Sequence, residues 1–324
     1  MPDKVVPLVT IAIPTYNRAN GYLRQAIDCS VKQTYRNIEI IISDNCSTDN
    51  TEEVVKSFND PRIRYFRQDK NIGMYNNENF CVQQAKGDFF LLLCDDDLID
   101  HDLVDVCLRA ANYDTNVGVI LTGTRVINGD GEVLGEDTNK AGGLSTADFF
   151  LAWFEHKVPL YLCSTLYNTK RLQEIDGFRS KKALYEDNVA LVQLAAKFGR
   201  VDVRDVKAGF RRHSDNIGTA AKISDWCEDS LYLLDVMCNV VPEKEAIVRE
   251  KGMLSLCRQN YGRCGRLQSR IKRPYAYYVV YKKFHYCEPP FKYIFDNNIL
   301  YRSAHRLIRG VKKRIIEPLS HDIR

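Results

Sequence analysis

Apolar and polar positions fall into alternating blocks along the first 120 residues. Residues 9–13 form a short apolar run that stops at Pro14, and residues 22–33 have helical spacing. Residues 38–43 are apolar and β-branched, residues 51–58 read as helix, and residues 63–66 as a short strand. Residues 76–86 read as a helix ending at Gly87, and residues 88–93 as a continuous apolar strand. Residues 102–112 read as a helix with Asp100 as N-cap, and residues 117–121 as a further strand. Strands that are apolar on both faces, separated by helices, predict a parallel sheet covered on both sides. The fold class is α/β, with ligands expected where the strands end.

After Thr124 the pattern loosens. Residues 128–143 carry glycines at 129, 131, 135, 142 and 143 and read as a hairpin plus a mobile loop. A strand over 161–167, a helix over 187–197 and a strand over 201–206 follow, and from about Ser224 the chain reads as helix only. This places a boundary near 220, with a catalytic α/β unit over 1–220 and a helical region over 221–324.

Composition narrows the classes. At 324 residues, 45% hydrophobic and 27% charged, the chain can bury a full core and is neither disordered nor fibrous. No apolar run reaches the 18 or so residues of a membrane span. The N-terminal MPDKVVPLVT lacks the pattern of a secretory signal. The 11 cysteines are scattered without a CxxC pair, which suggests buried thiols in a reducing cytoplasm. Charge is unevenly spread. From Lys251 onward there are 17 Lys+Arg and 4 Asp+Glu, a net +13, which leaves −9 for the rest of a chain whose total is +4. A basic tail on an acidic body suggests a polyanionic surface, either anionic lipid or nucleic acid. Leu300, Ala304, Leu307, Ile308, Val311 and Ile315 share one helical face, with Arg302, Arg306, Arg309, Lys313 and Arg314 on the others. Such a helix suits an interfacial, peripheral membrane contact, although packing on the catalytic unit would give the same pattern.

Polar residues cluster at strand ends. The first strand runs into Pro14-Thr15-Tyr16-Asn17-Arg18, the second into Ser43-Asp44-Asn45-Cys46-Ser47-Thr48-Asp49, and the fourth into Cys94-Asp95-Asp96-Asp97. Helix capping suffices for Thr48 and Asp49. It does not suffice for three adjacent carboxylates after a buried strand, whose repulsion a divalent cation would relieve.

The segments VTIAIPTYNR, IEIIISDNCSTDNT, NIGMYNN and FFLLLCDDDLI, in this order, resemble family 2 glycosyltransferases of the GT-A fold, of the kind that build bacterial surface polysaccharides such as O-antigen. Gly177-Phe178 followed by Tyr185-Glu186-Asp187-Asn188 is similar to that family's "GGF…ED" block. The resemblance covers about residues 7 to 215 and implies a Rossmann-like, mostly parallel sheet flanked by helices. It also implies an inverting, metal-dependent transfer from a nucleotide sugar. Pro14, Thr15, Asn17, Arg18, Asp44, Asn71 and Gly73 match donor-binding positions; a carboxylate at 44 accepting a base imide N–H would favour UDP. Against the common "DSDD" form Cys94 stands in place of the first Asp. Asp95 then serves ribose, Asp96 the metal (Mn²⁺ or Mg²⁺), and Asp97 the metal or its support. His213 matches a metal-binding histidine past a late strand. Glu78 stands where the family often has an Arg near the phosphates, so Arg18, Arg211 or Arg212 would have to replace it. Asp187 matches the general base, with Glu186 in reserve. The acceptor implied is a glycan, possible as a polyprenyl-linked chain at the cytoplasmic face of a membrane. A nucleic-acid binder rests on tail charge alone. A nucleotidyltransferase would need a phosphate loop that residues 14–18 do not provide.

Overall fold

A computed structural model describes residues 6–19, 21–213 and 221–296. The first half follows the predicted order: β1 (Val9–Thr15), α1 (Tyr22–Val31), β2 (Ile38–Asp44), α2 (Thr51–Lys56), β3 (Ile63–Arg67), α3 (Met74–Gln84) and β4 (Phe89–Leu92). Then come β5 (Leu98–Ile99), α4 (Leu103–Ala110), β6 (Val119–Ile127), β7 (Val133–Asp137), α5 (Thr146–Phe154), β8 (Thr165–Asn168) and α6 (Thr169–Glu174). The remainder is α7 (Glu186–Phe198), β9 (Arg200–Arg211), α8 (Ile223–Val240), α9 (Glu245–Arg266), α10 (Arg273–Lys283) and α11 (Phe291–Asp296).

The strands join in one sheet of order β3-β2-β1-β4-β8-β6-β9-β5, with β7 hairpinned onto β6. β3, β2, β1 and β4 are parallel, with Ile11 beside both Ile40 and Leu91. Beyond β4 both directions occur: β8 is antiparallel to β4 and β6, while β9 runs parallel to β6. The unalternating strands have two cores to fill. Ile11, Ile13, Ile40, Phe89 and Leu91 face the layer of α1, α2 and α4. Ala12, Ile41, Phe90 and Leu92 face a second layer that contains residues of α5 and α7 to α10. The C-terminal helices thus share the core of one sheet face.

Several expected elements differ. Asp100 does not cap α4; its carboxylate pairs with Arg125, and Asp102 stands at the N-cap position and binds Lys207 at 2.7 Å. Residues 162–164 form a 3₁₀ turn, so β8 begins only at Thr165. β9 extends to Arg211 because both β6 and β5 pair with it. The loop after β7 is pinned by Asn139, whose Nδ2 donates to Leu121 O at 3.2 Å and Asp202 Oδ1 at 3.1 Å. The apolar stripe from Leu300 to Ile315 lies outside the described residues.

One contact between layers positions the later site. Asn79 on α3 brackets Phe178, accepting from its N–H at 2.8 Å and donating to its carbonyl at 3.0 Å. Gly177 makes this approach possible. Its φ is +79°, and a Cβ there would lie 2.1 Å from Asn79 Oδ1. We predict that Gly177→Ala destabilises the fold by at least about 2 kcal/mol, from left-handed backbone strain plus the clash. Unchanged urea unfolding would contradict this.

Candidate active site

A cavity of about 740 Å³ opens at the ends of β1, β2 and β4. Its wall includes Pro14, Thr15, Tyr16, Asn17 and Arg18 from β1, and Cys94, Asp95, Asp96 and Asp97 after β4. Asn45, Asn71, Asn77 and Glu78 complete the polar lining. The β1 loop is fixed from the side. Asn17 has φ +54°, donates its N–H to Ser47 Oγ at 2.9 Å and accepts from Thr48 N–H at 2.8 Å. Asp49 holds the N–H groups of Ala19 and Thr51. Asn71 Oδ1 accepts from Asn45 at 3.1 Å and from the N–H of Gly73 at 2.9 Å. Gly73 has φ +83°, the left-handed conformation that glycine tolerates.

Asp44 is fully buried and is not part of the cavity wall. Its oxygens accept from Ser47 N–H at 2.7 Å and from Tyr65 Oη–H at 2.6 Å. It therefore holds the turn after β2, whose Asn45 faces the cavity.

The acidic loop turns sharply between β4 and β5. Thr15 donates to Asp95 Oδ2 at 2.7 Å, and Arg18 Nε lies 4.0 Å from the other oxygen. Burial, aided by the charge of Asp96, pushes the Asp95 carboxyl up to about 6 against these two groups. The far end of β9 closes on the same loop. His213 Nε2 meets Asp96 Oδ2 at 2.8 Å across 117 residues of chain, and its ring leans on Tyr22 at 5.2 Å. Asp97 is 2% exposed and accepts from Arg211 N–H at 2.8 Å; burial first, then Asp96, raises its carboxyl well above the usual range.

Cys94, Asp96 and Asp97 each offer a ligand atom within 4.8 Å of the others. The donor set fits a divalent ion. Neighbouring ligand atoms on an octahedral ion with bonds near 2.1 Å sit about 3 Å apart, close to the His213–Asp96 spacing. The carboxylates suit a hard divalent ion such as Mn²⁺ or Mg²⁺, and an imidazole is a ligand of transition ions. Asp97 has one oxygen committed to Arg211, which makes it a support for the loop as well as a candidate ligand.

Arg211 is not available to a phosphate in the way its sequence position suggests. It is 1% exposed, and its guanidinium donates to Asp96 O, Asn128 O, Gly129 O and Gln25 Oε1. Arg212 is exposed and interacts with Tyr161. Of the three arginines considered, Arg18 is the one on the cavity wall.

Glu186 and Asp187 open α7 but do not cap it; Tyr185 takes the N-cap position without a side-chain bond. Burial, then the neighbouring Asp187 charge, raises the carboxyl of Glu186. Burial, with Asp229 contributing, raises that of Asp187. Oε2 of Glu186 is buried without a hydrogen-bond partner. The segment leading into the pair is held by Asp229 of α8. This fully buried carboxylate accepts from Ser180 Oγ at 2.7 Å and from the N–H groups of Lys182, Leu184 and Tyr185 at 2.8, 2.8 and 2.9 Å. Sequence reasoning missed Asp229, because a lone acid in an amphipathic helix carries no local signal. A second cavity of about 740 Å³ lies beside α1 and the start of α4. Its Asp100 and Asp102 are already paired with Arg125 and Lys207.

Comparison with known proteins agrees with this arrangement. Residues 10–165 match the sequence model of Glycosyl transferase family 2. Hyaluronan synthase of Pasteurella multocida is 36% identical over 136 residues, which are 41% of this chain and only 14% of the synthase. Among solved structures, S. aureus TarS 1-349 in complex with UDP-GlcNAc superposes with a TM-score of 0.62 at 16% identity, covering 92% of this chain and 91% of TarS. The mannosyltransferase PcManGT from Pyrobaculum calidifontis, in complex with GDP-Man and Mn²⁺, gives a TM-score of 0.54 at 14% identity, covering 95% and 81%. At these identities the structural likeness is one of fold.

We predict that the purified chain binds Mn²⁺, measured by calorimetry, and that Asp96→Ala and His213→Ala each weaken binding at least tenfold, the usual scale for losing part of a metal's ligand shell. Equal Mn²⁺ affinity in both variants and the native chain would remove this site.

Proposed function

Residues 10–165 belong to glycosyl transferase family 2, and from this membership we propose that the chain, a glycosyltransferase, moves a sugar from a UDP-linked donor to a glycan hydroxyl with inversion at the anomeric carbon. The observation that carries the proposal is the meeting of Asp96 and His213 beside a cavity whose wall is the β1 loop. UDP as the nucleotide is favoured by the TarS complexes with UDP and UDP-GlcNAc, proteins of the same fold.

Each part of the site then has a task. Thr15, Asn17, Asn45 and Asn71 receive base and ribose, with Pro14 and Gly73 shaping the walls and Asp44 holding the loop. Asp95 takes the ribose hydroxyls and Arg18 the phosphates. Asp96 and His213 would hold a divalent cation, with Asp97 and Cys94 beside it. When bound, that cation offsets the charge of the departing diphosphate. Asp187 takes the proton of the acceptor hydroxyl as its oxygen attacks the anomeric carbon. The bond to the diphosphate oxygen breaks on the opposite face, and UDP leaves with the electron pair.

A base must be deprotonated to act. The Asp187 carboxyl is raised by burial, so turnover should fall with decreasing pH already above the ordinary carboxylate range. The direct test is a screen of nucleotide sugars for Mn²⁺-dependent hydrolysis or transfer. Activity undiminished in excess EDTA would overturn the metal-dependent scheme. We predict that Asp187→Asn lowers turnover by about 10² to 10⁴-fold while UDP binding persists. Normal transfer by Asp187→Asn together with loss in Glu186→Gln would move the base to Glu186.

A membrane-linked acceptor is the second element of the proposal. Ile271 is 92% exposed and Tyr275 71%, with Tyr278, Tyr286 and Phe291 also open to solvent. Lys272, Arg273, Lys282 and Lys292 lie among them in sequence. No helix among the described residues is long and apolar enough to cross a membrane. A basic residue near an anionic leaflet contributes about 1 kcal/mol, and exposed aromatics add interfacial burial. We predict salt-sensitive co-sedimentation with anionic vesicles. Equal, negligible binding to anionic and neutral vesicles would leave these residues without that role.

A further inference from the structure

Glu78 is a buried acid without an assigned task. It is 3% exposed and lines the cavity, yet no hydrogen bond to its carboxyl exists among the described residues. Its neighbours fix it in place. Asn77 is tied to Ser43 by two bonds of 2.6 and 2.8 Å, and Asn79 to Phe178 by two of 2.8 and 3.0 Å. The residue between two such anchors has little freedom to swing toward bulk water. Its surroundings are equally definite. The carboxyl feels the charges of Glu186 and Asp187, and it in turn acts on the thiol of Cys94. Glu78 thus stands within electrostatic reach of both the acidic loop after β4 and the acid pair that opens α7.

A buried polar group needs partners, and an unpaired one costs free energy. Arg18, the cation on this wall, is engaged with Asp95. A ligand in the cavity that Glu78 lines can supply the missing donors. In the reaction proposed above, the acidic loop serves the diphosphate and Asp187 the acceptor hydroxyl. The transferred sugar has to occupy the space between them, and its hydroxyl groups are donors of the required kind.

We propose that Glu78 recognises the donor sugar: its carboxyl accepts hydrogen bonds from hydroxyl groups of the sugar ring and, together with Glu186 and Asp187, turns away sugars that carry a carboxylate. Glu78 is then a specificity-determining residue, and its role rests on the glycosyl-transfer function proposed for this site. A neutral hexose or N-acetylhexosamine meets three acids as a hydrogen-bond donor. A hexuronate would place its charge against a poorly hydrated wall where burial already opposes ionisation of Glu78, Glu186 and Asp187, and where Arg18, the cation among the described wall residues, is near Asp95.

Calorimetric titration in saturating Mn²⁺ tests this with UDP, UDP-glucose, UDP-galactose, UDP-N-acetylglucosamine and UDP-glucuronate. The native chain should bind at least one neutral nucleotide sugar ten times or more tighter than UDP-glucuronate. Glu78→Gln, of the same shape, should weaken that neutral donor tenfold or more, leave UDP within twofold and erase the discrimination against glucuronate. If Glu78→Gln also loses UDP, Glu78→Asp decides: retained rejection of UDP-glucuronate upholds the role, and its loss overturns it. A native preference for UDP-glucuronate, or unchanged sugar affinities in Glu78→Gln, would overturn the role of Glu78 alone. Failure of the native chain to bind UDP would overturn the UDP-dependent function and this inference together.

Discussion

Among the described residues Arg211 heads the fully buried side chains in size, and the candidate-site end of the sheet is tied together by its guanidinium. Nε donates to Asp96 O at 2.6 Å, Nη1 to Asn128 O and Gly129 O, and Nη2 to Gln25 Oε1 at 2.8 Å. The plane lies over the Tyr22 ring at 4.5 Å, which adds a cation–π contact. Its own backbone N–H holds Asp97. One residue at the end of β9 therefore joins α1, the acidic loop and the β6–β7 turn. A buried cation is tolerated only when its donors are met, so the carbonyls it uses are held where it needs them. The spacing of Asp96 and His213 follows from that constraint, since both belong to the segments that Arg211 clamps.

The same end of the molecule concentrates acids that burial drives toward their neutral forms. Asp95, Asp97, Glu78, Glu186 and Asp187 are all raised, with loss of hydration the first cause in each case. Structural ion pairs elsewhere behave in the opposite sense: Asp60 beside Arg62, and Glu228 beside Lys182 and Lys283, are held below the usual range. Glu78, Asp95 and Asp97 line one cavity, and a fold selected for stability alone would not bury three acids at one cavity wall. Local conflict of this kind marks groups arranged for a ligand rather than for each other.

How much of this the sequence disclosed depends on whether the cause was local. The strands of the first half were legible because unalternating apolar runs between helices have few other solutions. The acidic loop was legible because three adjacent carboxylates after such a run are costly without a partner. The direction of β8 was not, because nothing in Thr165–Asn168 distinguishes a parallel from an antiparallel neighbour. Asp44 looked like a ligand-facing carboxylate, and only the tertiary fold reveals that Ser47 and Tyr65 already occupy its oxygens. Arg211 and Arg212 looked alike in sequence. Their difference is the alternation of a strand edge, which puts one in the interior and the other in solvent.

The least legible connection is the one from the C-terminal helices to the acid pair. A boundary near residue 220 follows from composition, yet Asp229 of α8 receives four donors from residues 180–185. That segment is otherwise irregular, and it delivers Glu186 and Asp187 to the start of α7. A carboxylate with four donors is fully satisfied, which is why it can be buried completely without the unmet demand seen at Glu186 Oε2. Tyr185 adds a second tie: its ring meets Trp226 of α8 edge-on, and its hydroxyl accepts from Arg263 of α9 at 2.9 Å. The helices that follow the sheet therefore help to place the acid pair, because the segment before it is held by a residue that only they supply.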